Sequence, residues 1–519
     1  MVAYNSFLRT FYDTAIEKWN DEVMRDCHTT SANVTYCRLC AKIMDYQNRW
    51  NRFGLLPGDK IAICSNSSVA WATLFMAIQA SGFVAVCLSD DLFVSLPHVE
   101  HAGCSIIYVN QESVHNIDFQ KISDLQLVIS IKDNTVLWSR HSVSVNAKRV
   151  KNILPGEFHI VERTFSDVAL IIYTSGSSSN IKGVMLTIGN ISANMHSIAK
   201  SFPYKRSCKY LSVLPFFHIF GLIYDVLMPI CYGLQLFVLN APPVPSILFR
   251  ALKKTNPDMF FSVPIVYYKI LEVVAQIHKD DFGRQNVEEK RSVVMSYFGK
   301  NCKYLVTGGA SVNKEWLQSV YKEYNLPFFI GYGMSECASS ICLPQFDTYK
   351  RFSCGKPIEI VEFKIASTNP LEVPGEIMMR GDIIFKGYYK DEKLTKSVVD
   401  DDGWFHTKDL ATMSEEGDVF IVGRMDTMCV TASGENVYSE DIEAEIAKIE
   451  GVIDVVVALK GNYLIAYVVR DKVFSEKQIQ DSIYNIDTQF TKGVYIQEIK
   501  WVDFVARTPK GTIKRQLYL

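Results

Sequence analysis

Tyr173-Thr-Ser-Gly-Ser-Ser-Ser-Asn-Ile-Lys-Gly-Val-Met-Leu-Thr187 is the most informative stretch of the chain. It continues an apolar run, Ala169-Leu-Ile-Ile-Tyr173, whose length and composition predict a buried strand. Hydroxyls, small residues and one lysine then crowd a short loop. A triphosphate needs such a loop: backbone N–H groups exposed by small residues, Ser and Thr hydroxyls and a mobile ammonium neutralise several phosphate oxygens without steric conflict. Composition alone would also suit a solvated turn. A P-loop is excluded, because GxxxxGK[ST] needs glycine at Ile181 and Ser or Thr at Gly183. A dinucleotide fingerprint at Gly331-Tyr-Gly-Met-Ser-Glu336 fails as well, since Glu336 stands where the third glycine belongs.

Around this loop, short apolar runs bounded by Gly, Pro, Asn or Asp alternate with segments of helical period, the pattern of an α/β protein. Lys60–Cys64, Val84–Leu88, Ala169–Tyr173, Tyr304–Thr307 and Leu326–Ile330 read as strands, and Trp71–Ser81 as a helix. In such folds ligands bind at loops beyond the strand ends, where the unusual sequences lie. Past about residue 375 the texture changes to short alternating strands, such as Gly375–Gly381 and Gly417–Gly423, and predicts a small β-rich layer. From Asp426 onward, helices near Ser439–Ile449 and Ser475–Asn485 alternate with strands and end in a basic tail. The expectation is a large domain of layered α/β subdomains plus the β-rich layer over 1–425, and a small mobile α+β domain over 426–519.

A chain of 519 residues exceeds what one hydrophobic core supports, which agrees with that division. The balance of 54 basic and 56 acidic residues gives a formal charge of -2, and no basic run is long enough to track a phosphate backbone, so nucleic acid is excluded as a partner. The first ten residues lack the apolar core of a secretory signal, and the thirteen cysteines lack the spacing of a disulfide framework. Both predict a cytoplasmic chain with reduced thiols. Cys37-Arg-Leu-Cys40 lies in a helical pattern without a second pair and reads as structural. The longest apolar stretch, Ile219–Leu239, is broken by Asp225, Pro229 and Gln235, and reads as a buried helix followed by a strand instead of a transmembrane segment.

The loop resembles the signature Tyr-Thr-Ser-Gly-Thr-Thr-Gly-x-Pro-Lys-Gly-Val of the adenylate-forming superfamily, with Ser179 in place of Gly and Ile181 in place of Pro. Further matches follow in family order: Leu214-Pro-Phe-Phe-His-Ile-Phe-Gly221, Thr307-Gly-Gly-Ala310, Gly331–Glu336, Gly375-Glu-Ile with Arg380-Gly381, Gly403-Trp-Phe-His-Thr-Lys-Asp409 and Gly423-Arg-Met-Asp426. The likeness extends from Gly58-Asp59 to Arg507–Arg515, nearly the whole chain. It implies an ATP- and Mg²⁺-dependent enzyme that turns a carboxylic acid into an acyl-adenylate, then passes the acyl group to a thiol such as coenzyme A.

The resemblance also implies roles. Thr174, Ser175, Gly176, Ser177, Ser178 and Lys182 would embrace the pyrophosphate end of ATP, Glu336 would hold Mg²⁺ as a hard oxygen ligand, and Ser335 would contact the α-phosphate. Asp409 would accept hydrogen bonds from both ribose hydroxyls, supported by Arg424. Gly308, Gly309 and Ala310 would flank adenine, with Tyr332 stacked on it. His218 is either the gate over the carboxylate pocket or a satisfied structural histidine. Gly434 would line the pantetheine tunnel, where a side chain would leave no room, and the small domain would rotate about Asp426 between steps.

The sequence departs most at Arg507-Thr-Pro-Lys-Gly-Thr-Ile-Lys-Arg515, where Thr512 stands at the family's adenylation lysine. Lys510 and Lys514 flank it two residues away on either side; in an extended chain they share its face at roughly 6.5 Å, about the reach of a lysine, and Lys514 is the expected substitute. The alternative is a degenerate nucleotide- or acyl-binding relative. Ala432–Glu443 resembles the corresponding stretch of fatty acyl-CoA synthetases more than that of amino-acid-activating domains, so a fatty acid is the expected substrate, ahead of an aryl acid. Asp225 does not align with the aspartate that binds an α-amino group. No carrier domain is recognisable after Leu519, so the acceptor would be free coenzyme A or a separate acyl carrier protein.

Overall fold

Lys60–Cys64 shows how the layers arise: Ile61 and Ile63 enter one core while Ala62 and Cys64 enter another. Successive strand residues face opposite sides, so a strand apolar throughout must be covered on both. The computed structural model describes residues 4–28, 33–114, 117–141, 153–174, 181–202, 205, 207–425, 428–430, 436–460, 463–486, 496–507 and 513–518.

Among the described residues, one sheet runs in the order Gly387–Tyr388, Lys182–Thr187, Val168–Thr174, Val84–Leu88, Lys60–Cys64, Ile106–Val109, Leu127–Ser130, Val136–Ser139. Its centre is parallel and its outer pairs antiparallel. A second runs Phe328–Ile330, Tyr304–Thr307, Met259–Ser262, Lys209–Ser212, Gln235–Val238, Glu22–Asp26, Val34–Thr35. The same alternation recurs there: Phe260 and Leu305 join an outer core, Phe261 and Val306 the central one. The central core takes side chains from both sheets, so the two are stacked across a shared helical layer.

Helix Val69–Ala80 belongs to that layer. It starts where Ser68 accepts the Trp71 N–H at 3.1 Å, and nearly every residue from Trp71 to Ala80 is fully buried, with Trp71 stacked on Phe75. A helix buried all round shows no amphipathic period. Ile219–Leu239 also matches the reading of a buried helix and strand, but the helix widens to π-type over Leu222–Leu227, around Asp225, and ends at Gly233 with φ +76° before strand Gln235–Val238. Leu326–Ile330 shortens to Phe328–Ile330, since Pro327 has no N–H to give a ladder.

The β-rich layer is a four-stranded antiparallel sheet, Val361–Ala366, Gly375–Gly381, Phe405–Met413, Val419–Arg424. Beyond it, Val452–Lys460, Tyr463–Arg470 and Ile496–Trp501 form a further sheet, under helices Ser439–Ile446 and Glu476–Tyr484. Ile442, Ile446, Val455, Val457, Leu464, Ile479 and Ile483 make a core of their own there. No helix among the described residues is long and apolar enough to cross a membrane.

Candidate active site

Val168–Thr174 pairs antiparallel with Lys182–Thr187, in register Thr174 with Lys182, so the serine-rich residues connect two neighbouring strands of the sheet. Ser175, Gly176, Ser177 and Ser178 lie outside the described residues, as does the side chain of Thr174. Lys182 opens the second strand, half-buried. Helix Ile188–Ser201 follows at once, capped by a reciprocal pair in which Thr187 Oγ1 accepts the Asn190 N–H and Asn190 Oδ1 accepts the Thr187 N–H.

That helix ties the hairpin to Glu336. Asn190 donates to the carbonyls of Asp382 and Ile384, and Asn194, four residues on and fully buried, donates to those of Cys337 and Ser340 at 3.0 and 2.7 Å. The Glu336 turn therefore hangs from the helix that the phosphate hairpin starts. Ala338 and Ser339 have φ of +53° and +112°, left-handed values that cost L residues energy and persist where the surroundings hold them. Gly333 makes the turn possible, because a Cβ there would lie 1.5 Å from the Ser339 carbonyl.

Strand Gly387–Tyr388 pairs with the hairpin, Tyr388 opposite Val184, and the Tyr388 hydroxyl donates to Glu336 Oε1 at 2.9 Å. Burial, with the Glu336 carboxylate beside it, holds that hydroxyl far above its usual pKa, so it stays a donor. Glu336 thus sits beside the strand that carries Lys182. One carboxylate suits Mg²⁺, an ion that takes few protein ligands and fills the rest of its octahedron with phosphate and water oxygens. Among the described residues no cluster of three His, Cys, Asp or Glu offers a protein cage.

Tyr332 joins Glu336 to the β-rich layer. Its hydroxyl donates to Asp409 Oδ2, and Arg424 Nη1 donates to Oδ1 at 2.6 Å. Burial and the neighbouring Asp409 carboxylate hold the Tyr332 hydroxyl protonated. Asp409 is only 6% exposed, and its two carboxylate oxygens are the acceptors that the hydroxyls of a ribose would meet. Gly308 and Gly309 follow strand Tyr304–Thr307 and approach the Gly331 backbone and the Phe220 ring: Cβ atoms there would meet Gly331 O at 3.1 Å and Phe220 Cδ1 at 3.4 Å. Ala310 continues this turn, half-buried. The structure thus links Tyr332, Asp409 and Arg424 by side-chain hydrogen bonds, sets Ser335 and Glu336 in one short turn that Tyr388 joins to the strand Lys182 opens, and lays the Gly308–Gly309 turn beside Gly331.

His218 is half-buried at the N-terminus of the Ile219–Gly221 turn, its ring 4.4 Å from that of Phe217. Its loop is fastened from behind. Asp225 Oδ2 accepts the N–H groups of Val213 and Leu214 at 2.8 Å each, and Ser67 Oγ accepts that of Phe216. Asp225 is fully buried, and burial pushes its carboxyl up to about 7 against those amides and the hydroxyls of Tyr210 and Ser212. It is committed to the fold and not aimed at a substrate amine.

At the other end of the chain, Arg507 pairs with Ile513 in an antiparallel bridge, and Arg515 is locked to Glu443 at 2.6 Å and to Glu440 at 3.3 Å. Lys514 lies between, exposed, its N–H donating to the Ala506 carbonyl. Lys510, Thr512, Gly434 and Asp426 lie outside the described residues. Sequence reasoning missed Tyr388, Asn190 and Asn194; two asparagines four residues apart, on one face of the Ile188–Ser201 helix, were the available signal for the latter pair.

A family model described as AMP-binding enzyme matches residues 13–389. The chain belongs to the AMP-binding enzyme family, in the acid–CoA ligase branch of the adenylate-forming superfamily. It is 27% identical over 460 residues to a 2-succinylbenzoate–CoA ligase of Oceanobacillus iheyensis, covering 86% of each chain. It is 25% identical over 457 residues to a long-chain-fatty-acid–CoA ligase of Homo sapiens, covering 79% of this chain and 67% of that one. Its fold is similar to the crystal structure of ATP-bound MatB from Rhodopseudomonas palustris, with a TM-score of 0.78 at 20% identity over 99% and 98% of the two chains. The family resemblance read from the ordered motifs and the layered α/β fold class are both borne out.

Proposed function

We propose that the chain is an AMP-forming ligase that uses ATP and Mg²⁺ to activate a carboxylic acid and then transfers the acyl group to coenzyme A. The observation that carries this reading is the placing of Glu336, held by Tyr388 against the strand that Lys182 opens, four residues from Tyr332, which joins Asp409 and Arg424. A cation beside a hydroxyl-rich hairpin, a lone carboxylate for a phosphate-bound metal, and a carboxylate–arginine pair for ribose answer the parts that ATP presents.

In the first step a carboxylate oxygen attacks the α-phosphorus of ATP, the bond to the bridging oxygen breaks, and pyrophosphate leaves with that electron pair. In the second, the coenzyme A sulfur attacks the acyl carbon, AMP leaves, and the thiol proton is released. Both steps move negative charge, so fixed cations and donors provide most of the catalysis. Mg²⁺ held by Glu336 would supply charge neutralisation at the phosphates; Lys182, the hairpin hydroxyls and Ser335 would position them. Lys514 takes the role left open by Thr512, with Lys510 as its rival. The 426–519 segment rotates about Asp426 between the steps and brings Gly434 to the thiol.

A fatty acid is the leading substrate, supported by the likeness of Ala432–Glu443 to fatty acyl-CoA synthetases and by the human relative. An aryl acid is the second reading, favoured by the rings beside the Gly308–Gly309 turn: Phe220 packs edge-on to Tyr224 at 5.2 Å, and Tyr224 against Phe261 at 5.0 Å. Buried cysteines, free among the described residues, support a reducing cytoplasmic setting. The deciding test is acid-dependent ATP–pyrophosphate exchange over a panel of fatty, aryl and amino acids, followed by AMP release with coenzyme A or an acyl carrier protein. Exchange with no acid would refute the ligase and favour a degenerate binding protein.

A further inference from the structure

Asp409 owes its position to an irregularity in the sheet. Gly375–Gly381 pairs with Phe405–Met413 so that Glu376 opposes Leu410 and Met378 opposes His406. Ile377 alone therefore faces Thr407, Lys408 and Asp409. Such a bulge leaves the extra residues outside the ladder and re-aims their side chains. Lys408 at its centre has φ +61°, the left-handed region that favours glycine, and is exposed while Thr407 and Asp409 are buried. A lysine holds that conformation only where its surroundings over-determine it.

The constraint is visible. Glu376 Oε1 accepts the Lys408 N–H at 2.9 Å, and Glu376 Oε2 lies within hydrogen-bond distance of His406 Nδ1, at 2.9 Å. His406 Nε2 faces Asp400 Oδ2 at 3.5 Å. From the other side Thr407 Oγ1 donates to the Ile377 carbonyl at 2.8 Å and accepts the Asp409 N–H at 3.0 Å. Glu376 and Thr407 thus hold the backbone on either side of Asp409, Thr407 also meeting the Tyr332 hydroxyl, while His406 and Asp400 act on Glu376 from outside.

We infer that Glu376, oriented by His406, is a positioning residue for the nucleotide ribose: it pins Lys408 in the left-handed conformation and so turns the Asp409 carboxylate toward Tyr332, Arg424 and the ribose hydroxyls. This rests on the proposed function, since it assumes that Asp409 receives a ribose. Its consequence is specific. Loss of the clamp should weaken only ligands that offer ribose hydroxyls, and a glycine at 408, which adopts positive φ without a Cβ penalty, should make the clamp dispensable.

The test is calorimetric titration of the full chain with AMP and with 2′,3′-dideoxy-AMP. Glu376→Ala is expected to weaken AMP about tenfold, the scale of one hydrogen bond to a charged group, and to leave the dideoxy nucleotide unchanged. Glu376→Gln, which keeps an acceptor for the Lys408 N–H, should bind AMP nearly as the parent does. Adding Lys408→Gly to Glu376→Ala should restore most of the AMP affinity. Equal weakening of both nucleotides, or no recovery with Lys408→Gly, would overturn the inference by making Glu376 a general support of the sheet. Should Glu376→Ala fail to fold, the Glu376→Gln and double-variant comparisons still decide it. A parent chain that binds neither AMP nor ATP would remove the proposed function itself; a parent that binds AMP alongside a Glu376→Ala variant that binds it equally would remove the clamp alone.

Discussion

Replacing Asp225 by asparagine should take a pH-dependent weakness out of the core. The carboxyl is fully buried, and burial raises it from 3.8 to about 7. In the unfolded chain it ionises near 3.8; in the folded chain it keeps its proton until about 7. Its contribution to stability is therefore complete below the unfolded value, falls as pH rises between the two, and is lost above the folded one. At about 1.36 kcal/mol per pH unit over roughly three units, the loss is about 4 kcal/mol. Asparagine carries no charge, its oxygen can accept the Val213 and Leu214 N–H groups, and its NH₂ can face Tyr210 and Ser212. The variant should match the parent near pH 4 and exceed it by up to about 4 kcal/mol near pH 8.

Urea unfolding followed by tryptophan fluorescence at a series of pH values measures this. Every other titrating group is common to both chains, so the difference between their curves isolates position 225. A multidomain chain need not unfold in two states, so the relevant quantity is the shift in midpoint of the transition that contains the central core. Parallel midpoint curves for parent and Asp225→Asn from about pH 5 to about pH 8 would refute the reasoning, because they would mean that the buried carboxyl ionises as it does in water.

Three further outcomes follow from the same geometry. Glu336→Gln should lower pyrophosphate exchange about a hundredfold while thermal unfolding stays put, since the amide still accepts from Tyr388; an unchanged rate at limiting Mg²⁺ would remove Glu336 from the metal's shell. Asn194→Ala strips the donors from the Cys337 and Ser340 carbonyls and should cost about 3 kcal/mol, read as a lower melting temperature and as weakened AMP binding through the displaced Glu336 turn. Lys514→Ala should slow adenylation about a hundredfold yet leave thioester formation from supplied acyl-adenylate intact, with Lys510→Ala near the parent; the reverse ranking in a pyrophosphate-exchange assay would transfer the role to Lys510.

The strands that positioned the loops were legible where an apolar run ended at a breaker: Lys60–Cys64, Val84–Leu88 and Tyr304–Thr307 have the predicted bounds. Helix Val69–Ala80 was legible by length alone, although its cap at Ser68 extends it beyond the predicted start. Lys182–Thr187 was hidden, because its Lys-Gly start read as loop and only pairing with Val168–Thr174 makes it a strand. The bulge at Asp409 was illegible for a different reason. A left-handed residue is usually announced by glycine, and here it is Lys408, held by Glu376 from a strand thirty-two residues away. Contacts such as Tyr388 with Glu336 depend on register between distant segments, and no local pattern encodes register.

Among the described residues, different contacts hold the nucleotide groups and the candidate adenylation lysine, and this predicts a crossed pattern of defects. Glu336 is held through Tyr388 to the strand of Lys182, and Tyr332, Asp409 and Arg424 hold one another, all within residues 182–424. Lys514 is presented by a tail anchored through Arg515, whose guanidinium meets Glu443 and Glu440 and donates to the Val457 carbonyl at 3.0 Å. Glu443 is buried, and burial raises its carboxyl against the pull of Arg515. Arg515→Ala leaves that carboxylate without its counter-charge, a change that costs about 3 kcal/mol, and should free the tail. Adenylation should then fall while AMP binds as in the parent. Arg424→Ala should do the opposite first: with one donor gone from Asp409, AMP affinity drops, and pyrophosphate exchange recovers at saturating ATP. Isothermal titration with AMP and exchange rates at saturating ATP separate the two. If Arg515→Ala weakened AMP as much as Arg424→Ala does, the tail would belong to the nucleotide site, and Thr512 would no longer isolate the defect to the chemical step.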